Sequence, residues 1–249
     1  MDGNHRSARD VPGGREGDDG LPERIRGIER YYREHAAHPG AESGDLEAVR
    51  ALPTTRVVLR WAGSDRRVLD LGCHDGDLSA LLRDQGNDVT GVDLPRMVDV
   101  ARRRHGLDAM AHDLNQPLPF EAASFDLVVA VSVLDDIADD LGFLRECRRV
   151  LVPGGELIVV VPNEVSLYRR IQTLLGRSSR EWAAPTGYHS LNRYTLRGIR
   201  TLLKVAGFEV SGQEKCPKRY SRIPLRYRIE SLLPATFATD LALRGRVAG

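Results

Sequence analysis

The sequence predicts an α/β protein built on a doubly wound, mostly parallel sheet, with helices on both faces and an antiparallel C-terminal strand. Three observations carry this. From Arg67 onward, short apolar runs alternate with amphipathic stretches, the order of repeated β-α-β units. The run Phe125-Asp126-Leu127-Val128-Val129-Ala130-Val131 is apolar at nearly every position, as suits a central strand buried on both faces. The run Val68-Leu69-Asp70-Leu71 passes through Gly72 and Gly76 into an apolar-periodic helix, which is the strand–turn–helix junction where open α/β sheets meet their ligands.

Met1 to Gly20 is rich in Gly, Asp and Arg and has no apolar core of a secretory signal, so it is expected to be a disordered tail. Leu21 to Ala37 places Ile25, Ile28, Tyr31 and Tyr32 at helical spacing, and His38-Pro39-Gly40 ends that helix. A second helical region, Leu46 to Trp61, is interrupted near Pro53. Residues 21–66 therefore form an N-terminal helical cap, and residues 67–249 the main domain. The expected strands of that domain are Val68–Leu71, Val89–Asp93, Ala109–Asp113, Phe125–Val131 and Glu156–Val161. Helices are expected near Leu78–Gln85, Arg96–His105 and Asp139–Val150, and Leu151–Glu156 reads as a turn around Pro153, Gly154 and Gly155. Val165–Leu175 is a helical piece and Gly176–Arg193 a loop. Thr195 caps a helix over Leu196–Ala206, which Gly207 stops. Phe208–Ser211 and Phe237–Leu243 read as strands, separated by a basic insertion at about 215–234 that carries Arg219, Arg222, Arg226 and Arg228. That insertion suits a phosphate or nucleotide-sugar, and equally a solvated face or an interface.

Composition narrows the function. The 249 residues are 41% hydrophobic and 29% charged, with a formal net charge of +1. A near-neutral chain has no global pull toward nucleic acid or a membrane surface. No apolar run approaches the length of about 20 residues that spans a bilayer. Cys73, Cys147 and Cys216 are far apart and odd in number, which fits neither a disulfide framework nor a zinc site, so no metal is expected and the compartment is expected to be reducing and cytoplasmic.

The chemistry gathers around two strand ends. Gly72 and Gly76 let the backbone approach a ligand closely, or simply make a tight turn. Asp93 ends the next strand about 20 residues on, the distance at which a carboxylate meets a ribose diol in nucleotide-binding units. A dehydrogenase-type Gly-x-Gly-x-x-Gly needs glycines where this chain has His74 and Asp77, so the dinucleotide reading is weakened.

The ordered series Leu69-Asp70-Leu71-Gly72-Cys73-His74-Asp75-Gly76, Gly91-Val92-Asp93, His112-Asp113-Leu114 and Ser124-Phe125-Asp126-Leu127-Val128 resembles the class I S-adenosylmethionine-dependent methyltransferases, in particular their small-molecule subgroup. The likeness continues through Val133-Leu134-Asp135-Asp136, the segment Glu146 to Gly155, and Tyr194-Thr195, and ends near Val210. It implies a Rossmann-like fold, S-adenosyl-L-methionine as cofactor, and methyl transfer to a small-molecule or glycan-like acceptor, at oxygen. Asp70 and the backbone near Gly72 and Gly76 would hold the methionine end, Asp93 the ribose hydroxyls and Leu94 the adenine face. Asp113, with Leu114 beside it, would accept from the adenine amino group, although a strand-end Asx turn explains the same residue. Val131 and Ser132 would border cofactor and acceptor.

Two positions depart from the family pattern. His74 stands where a glycine is usual, so either the backbone there avoids positive φ or the imidazole lines the pocket. Asp135-Asp136 stands where Glu-His is frequent, which leaves Asp136, or His189 in the later loop, as the base for a hydroxyl acceptor. Asp135, Asp136, Asp139 and Asp140 read as a negatively charged helix N-terminus, with a hard-cation site as the alternative. The competing functions are a catalytically silent cofactor-binding module and, less favoured by the glycines, an NAD-dependent oxidoreductase. The Asn/Asp-Pro-Pro-Tyr/Phe and Pro-Cys signatures of DNA-methylating enzymes are absent, in keeping with a partner that is not nucleic acid.

Overall fold

A computed structural model describes residues 45–176, 191–217, 234 and 238–248. The expected tail, the first cap helix, His189 and Arg219 to Arg228 of the basic insertion lie outside the described residues. Two helices come first, α1 (Leu46–Arg50) and α2 (Pro53–Ala62). Asp45 caps α1 by accepting from the Ala48 amide, and Pro53 sits at the first turn of α2, where its missing N–H costs nothing. Then follow β1 (Arg67–Leu71), α3 (Asp77–Asp84), β2 (Asp88–Asp93), α4 (Pro95–His105), β3 (Asp108–Ala111), β4 (Phe125–Val131), α5 (Asp140–Val150), β5 (Leu151–Pro162), α6 (Leu167–Leu174), α7 (Leu196–Val205), β6 (Phe208–Cys216) and β7 (Asp240–Val247). A short 3-10 turn, Leu134–Asp136, lies between β4 and α5.

These strands form one seven-stranded sheet in the order β3-β2-β1-β4-β5-β7-β6. The first five are mutually parallel, and β7 is antiparallel to both β5 and β6. The sequence of neighbours reverses direction between β1 and β4, which makes a switch point at their C-terminal ends.

Alternation along β4 explains its unbroken apolar run. Leu127 and Val129 face a cluster shared with Val58 and Ala62 of α2 and Leu82 of α3. Val128 and Ala130 face the opposite cluster, with Leu144 and Cys147 of α5 and Ile199 and Leu203 of α7. All four β4 side chains are fully buried, and burial of each Leu or Val contributes roughly 1.5–3 kcal/mol. The second helical region of the expected cap thus packs its apolar side chains into the sheet's own core.

Several element ends differ from expectation. The segment expected as a turn before β5 belongs to that strand: Leu151 pairs with Phe125 and Glu156 with Leu127, so the residues between them stand opposite Asp126 alone. Gly154 takes φ +75° there, and Pro153 lacks a ladder donor, so the turn signal became a bulge rather than a break. β6 runs on to Cys216, because β7 supplies a partner along its whole length; Lys215 therefore lies in a strand and not in the basic insertion. β7 is Asp240–Val247, displaced toward the C-terminus from Phe237–Leu243. β3 ends at Ala111, leaving His112 and Asp113 in the loop beyond it. The expected cap holds, with Thr195 Oγ1 accepting from the Gly198 amide at 3.0 Å.

Candidate functional site

The parallel order places the C-terminal ends of β3, β2, β1 and β4 side by side, and the sequence-marked residues that are described fall there, His189 lying outside them. Asp70 lies one residue before the end of β1; its register partners are Gly91 of β2 and Val129 of β4. Gly72, His74 and Gly76 form the loop into α3, Asp93 and Leu94 close β2, Asp113 and Leu114 follow β3, and Val131 ends β4. Asp136 follows in the 3-10 turn beyond Ser132.

The loop after β1 needs its glycines. Gly72 has φ +75°, and a Cβ there would stand 2.2 Å from Val133 Cγ2. Gly76, at φ +85°, caps α3, and a Cβ would stand 2.5 Å from Leu107 Cδ1 and 2.9 Å from Ala101 Cβ. His74 also takes the left-handed conformation, at φ +52°, although it is not glycine. Of the two alternatives raised by His74, the backbone one fails. Ser132, past β4, is likewise left-handed at φ +54°. Non-glycine residues in that region carry a cost of order 1 kcal/mol or more, and such strain clusters at functional sites.

Two carboxylates flank this loop, Asp93 half-buried and Asp70 buried. Asp93 Oδ2 accepts from the His74 amide at 2.7 Å, and Oδ1 accepts from the Leu94 amide at 2.7 Å. Each oxygen retains a lone pair for a further donor, so the geometry suits a diol. Burial raises the Asp93 pKa above the ordinary carboxylate value, and the bonds from His74 and Leu94 offset this only in part. Asp70 is 2% exposed and accepts from the Ser79 hydroxyl at 2.5 Å. Burial, with the Asp93 charge adding to it, pushes Asp70 up to about 6 despite the Ser79 bond. No cation offsets it among the described residues, so a positively charged ligand group beside it would lower its electrostatic cost.

Asp113 Oδ1 accepts from the backbone and side-chain nitrogens of Asn115, both at 3.0 Å, so the Asx turn expected as the alternative is present. Asn115 Oδ1 in turn accepts from the Ala138 amide at 2.9 Å, tying the loop after β3 to the one before α5. The acidic cluster divides by task. Asp139 caps α5 through the Gly142 amide at 2.8 Å, and Asp140 accepts from the Tyr194 hydroxyl at 2.9 Å. No group of three potential metal-ligating side chains gathers among the described residues.

Leu191 to Tyr194 fastens across this edge. The Leu191 and Asn192 amides donate to the Asp135 carbonyl at 2.7 and 2.9 Å, and Asn192 Nδ2 donates to the Ile137 carbonyl at 2.6 Å. Sequence reasoning missed this clip, together with Ser79, Asn115 and Arg104. The partners lie far apart in the chain, and no local pattern announces them. Arg104 sits in the run Arg102-Arg103-Arg104-His105, which reads as an ordinary solvated helix end.

Residues 69–159 match a methyltransferase-domain family. A ubiquinone biosynthesis O-methyltransferase from Methylocella silvestris is 34% identical over 133 residues, which is 51% of this chain and 52% of that protein. The chain spans about half the length of the first curated relatives it matches. A Haloferax volcanii protein solved in complex with the Trm112 methyltransferase activator shares the fold with TM-score 0.68 at 23% identity, over 91% of this chain and 97% of that one. The cyclase SpnF shares it with TM-score 0.59 at 21% identity, over 78% and 80%. Likeness at these identities speaks for the fold alone. The domain match, however, begins within β1 and ends within β5, and so takes in four of the strand ends that build this cradle. The likeness to a methyltransferase domain thus covers residues 69–159, the stretch that carries the glycine loop and Asp93.

Proposed function

We propose that this chain transfers the methyl group of S-adenosylmethionine to a small-molecule acceptor, at oxygen. The observation that carries the reading is the pair of carboxylates on adjacent strands, buried Asp70 and half-buried Asp93, on either side of the left-handed glycine loop. Asp93 holds the ribose hydroxyls on its remaining lone pairs. Asp70 faces the cationic methionine end, with Gly72 and Gly76 keeping the loop clear of side chains. Leu94 covers the adenine, Asp113 and Leu114 border its amino edge, and Val131 lies between cofactor and acceptor.

The cofactor, when bound, supplies a methyl group made electrophilic by its sulfonium. The chain's own share is alignment, which can lower such a barrier by roughly 7–11 kcal/mol. A hydroxyl acceptor also has to lose a proton. Asp136, in the 3-10 turn after β4, and His189, two residues before the anchored Leu191 in sequence, are the proposed bases. Relatives named as O-methyltransferases support oxygen as the atom methylated. The formal charge of +1 supports an acceptor that is not nucleic acid. Cys73, Cys147 and Cys216 are free and buried, and support a reducing, cytoplasmic setting. No helix among the described residues is long and apolar enough to cross a membrane.

A catalytically silent cofactor-binding module is the second reading. His74 in place of the family glycine favours it, and SpnF shows the same fold in a protein named as a cyclase. The test is calorimetric titration with S-adenosylmethionine and with NAD, followed by detection of S-adenosylhomocysteine release against a panel of hydroxylated small molecules. Binding of S-adenosylmethionine but not NAD, with acceptor-dependent release that Asp136→Asn or His189→Ala abolishes, is the expected result. Binding with no release from any acceptor would leave the silent module; preferential binding of NAD would overturn both readings.

A further inference from the structure

A charge cluster grips the His74 loop from outside. Asp75 Oδ1 lies 3.4 Å from His74 Nδ1, and Asp75 Oδ2 lies 2.7 Å from Arg104 Nη1. The other arm of the same guanidinium, Nη2, lies 3.3 Å from Asp77 Oδ1, which His105 Nε2 also meets at 2.7 Å. Arg104 thus spans two carboxylates, one inside the loop and one at the start of α3. The Asp75 and Asp77 side chains are only 14% and 7% exposed, and that of Arg104 23%, so these pairs are poorly screened by solvent. Arg104 itself sits in the last turn of α4, where the helix dipole favours a cation.

The loop held this way is the one that needs holding. His74 is left-handed without being glycine, and its amide is one of the two donors on Asp93. If the loop shifted, the imidazole would move and the Asp93 carboxylate would lose a bond that fixes its orientation. Removal of Arg104 would leave two largely buried carboxylates close together without their shared cation, and their repulsion would press on that loop.

We propose that Arg104 is a positioning residue for the cofactor, acting through Asp75 on His74 and through the His74 amide on Asp93, and that its role exists because His74 has replaced glycine. This rests on the reading that the cradle binds S-adenosylmethionine. A glycine at position 74 reaches the same backbone conformation without strain and carries no imidazole to orient, so cofactor affinity should then cease to depend on Arg104.

The experiment is a double-mutant cycle on the full chain, with calorimetric affinity for S-adenosylmethionine as the readout and circular dichroism as the check on folding. Arg104→Gln is expected to weaken binding about tenfold, and Arg104→Lys to recover part of this, since a point charge meets one carboxylate but cannot span two. In a His74→Gly background, Arg104→Gln is expected to change affinity by less than about twofold. Two results would overturn the proposal: Arg104→Gln folded and binding like wild type, or an equal loss in both backgrounds, which would make Arg104 a structural residue independent of His74. Should Arg104→Gln fail to fold, Asp75→Asn against the same two backgrounds reads the same coupling with the cation retained. Wild-type protein that does not bind S-adenosylmethionine at all would instead remove the underlying functional reading.

Discussion

Asp70→Asn should stabilise the fold above neutral pH while weakening the site. The Asp70 carboxyl moves from an ordinary value of 3.8 up to about 6, chiefly because the folded chain removes it from water. A shift of about two units corresponds to up to about 3 kcal/mol at 1.36 kcal/mol per unit. The sign follows from the direction. The folded state holds this proton more tightly than the unfolded chain, so the group favours folding below the unfolded value. That advantage is lost as pH rises toward the folded value of about 6, and stability is flat beyond it. Asparagine is neutral throughout, and its carbonyl oxygen can still accept from the Ser79 hydroxyl, which stands 2.5 Å from the carboxylate. Relative to wild type, the variant should therefore be near-neutral around pH 4 and gain up to about 3 kcal/mol above about pH 7. Urea denaturation of both proteins without cofactor, at a series of pH values, measures this difference and cancels the titrating groups that are not coupled to Asp70. A stability difference that does not change with pH would refute the reasoning. So would a variant that binds S-adenosylmethionine as tightly as wild type at pH 8, because the same buried charge is what the cationic end of the cofactor is proposed to meet.

Asp93→Ala should cost at least about tenfold in S-adenosylmethionine affinity by calorimetry, since it removes the ribose acceptor and leaves the amides of His74 and Leu94 without the partner each now has at 2.7 Å; affinity within about twofold of wild type would end the ribose assignment. Gly76→Ala should lower stability by about 2–3 kcal/mol in denaturant titration, from a left-handed φ combined with contact on Leu107 and Ala101. Gly106→Ala, at φ +59° with nothing within 4 Å of the added Cβ, is its control and should cost only about 1 kcal/mol; equal losses would show that packing at Gly76 is unimportant. Tyr194→Phe should lower stability by about 1 kcal/mol, read as a fall in Tm, through loss of the 2.9 Å bond to Asp140. An unchanged Tm would mean that the Leu191–Tyr194 clip is held by its backbone bonds and the Asn192 side chain, without the Tyr194 hydroxyl.

Much of the cradle is legible from local pattern because its constraints are local. Gly72 and Gly76 occupy positions where only a missing Cβ fits, and such positions mark themselves in the sequence. Asp93 ends a strand at a fixed distance from that turn, a spacing set by the size of one helix and one strand. Boundaries were less legible where pairing decides them. β6 extends to Cys216 because β7 lies alongside it, and Pro153–Gly155 remains in β5 because β4 pairs on either side of it. The Asp75–Arg104–Asp77 cluster and the Leu191–Tyr194 clip were illegible, since charged and polar residues scattered along the chain read as solvated until the fold brings them together.

The order of apolar runs and glycine turns in the sequence determined an α/β sheet with a glycine loop after its first strand, because hydrophobic period and backbone freedom are properties of adjacent residues. Only the tertiary structure decided that the conformation at His74 is left-handed, that its amide serves Asp93, and that Arg104 stands where it can hold the loop. Those contacts join residues that are distant in the chain, and their strength depends on burial, which no stretch of sequence carries by itself.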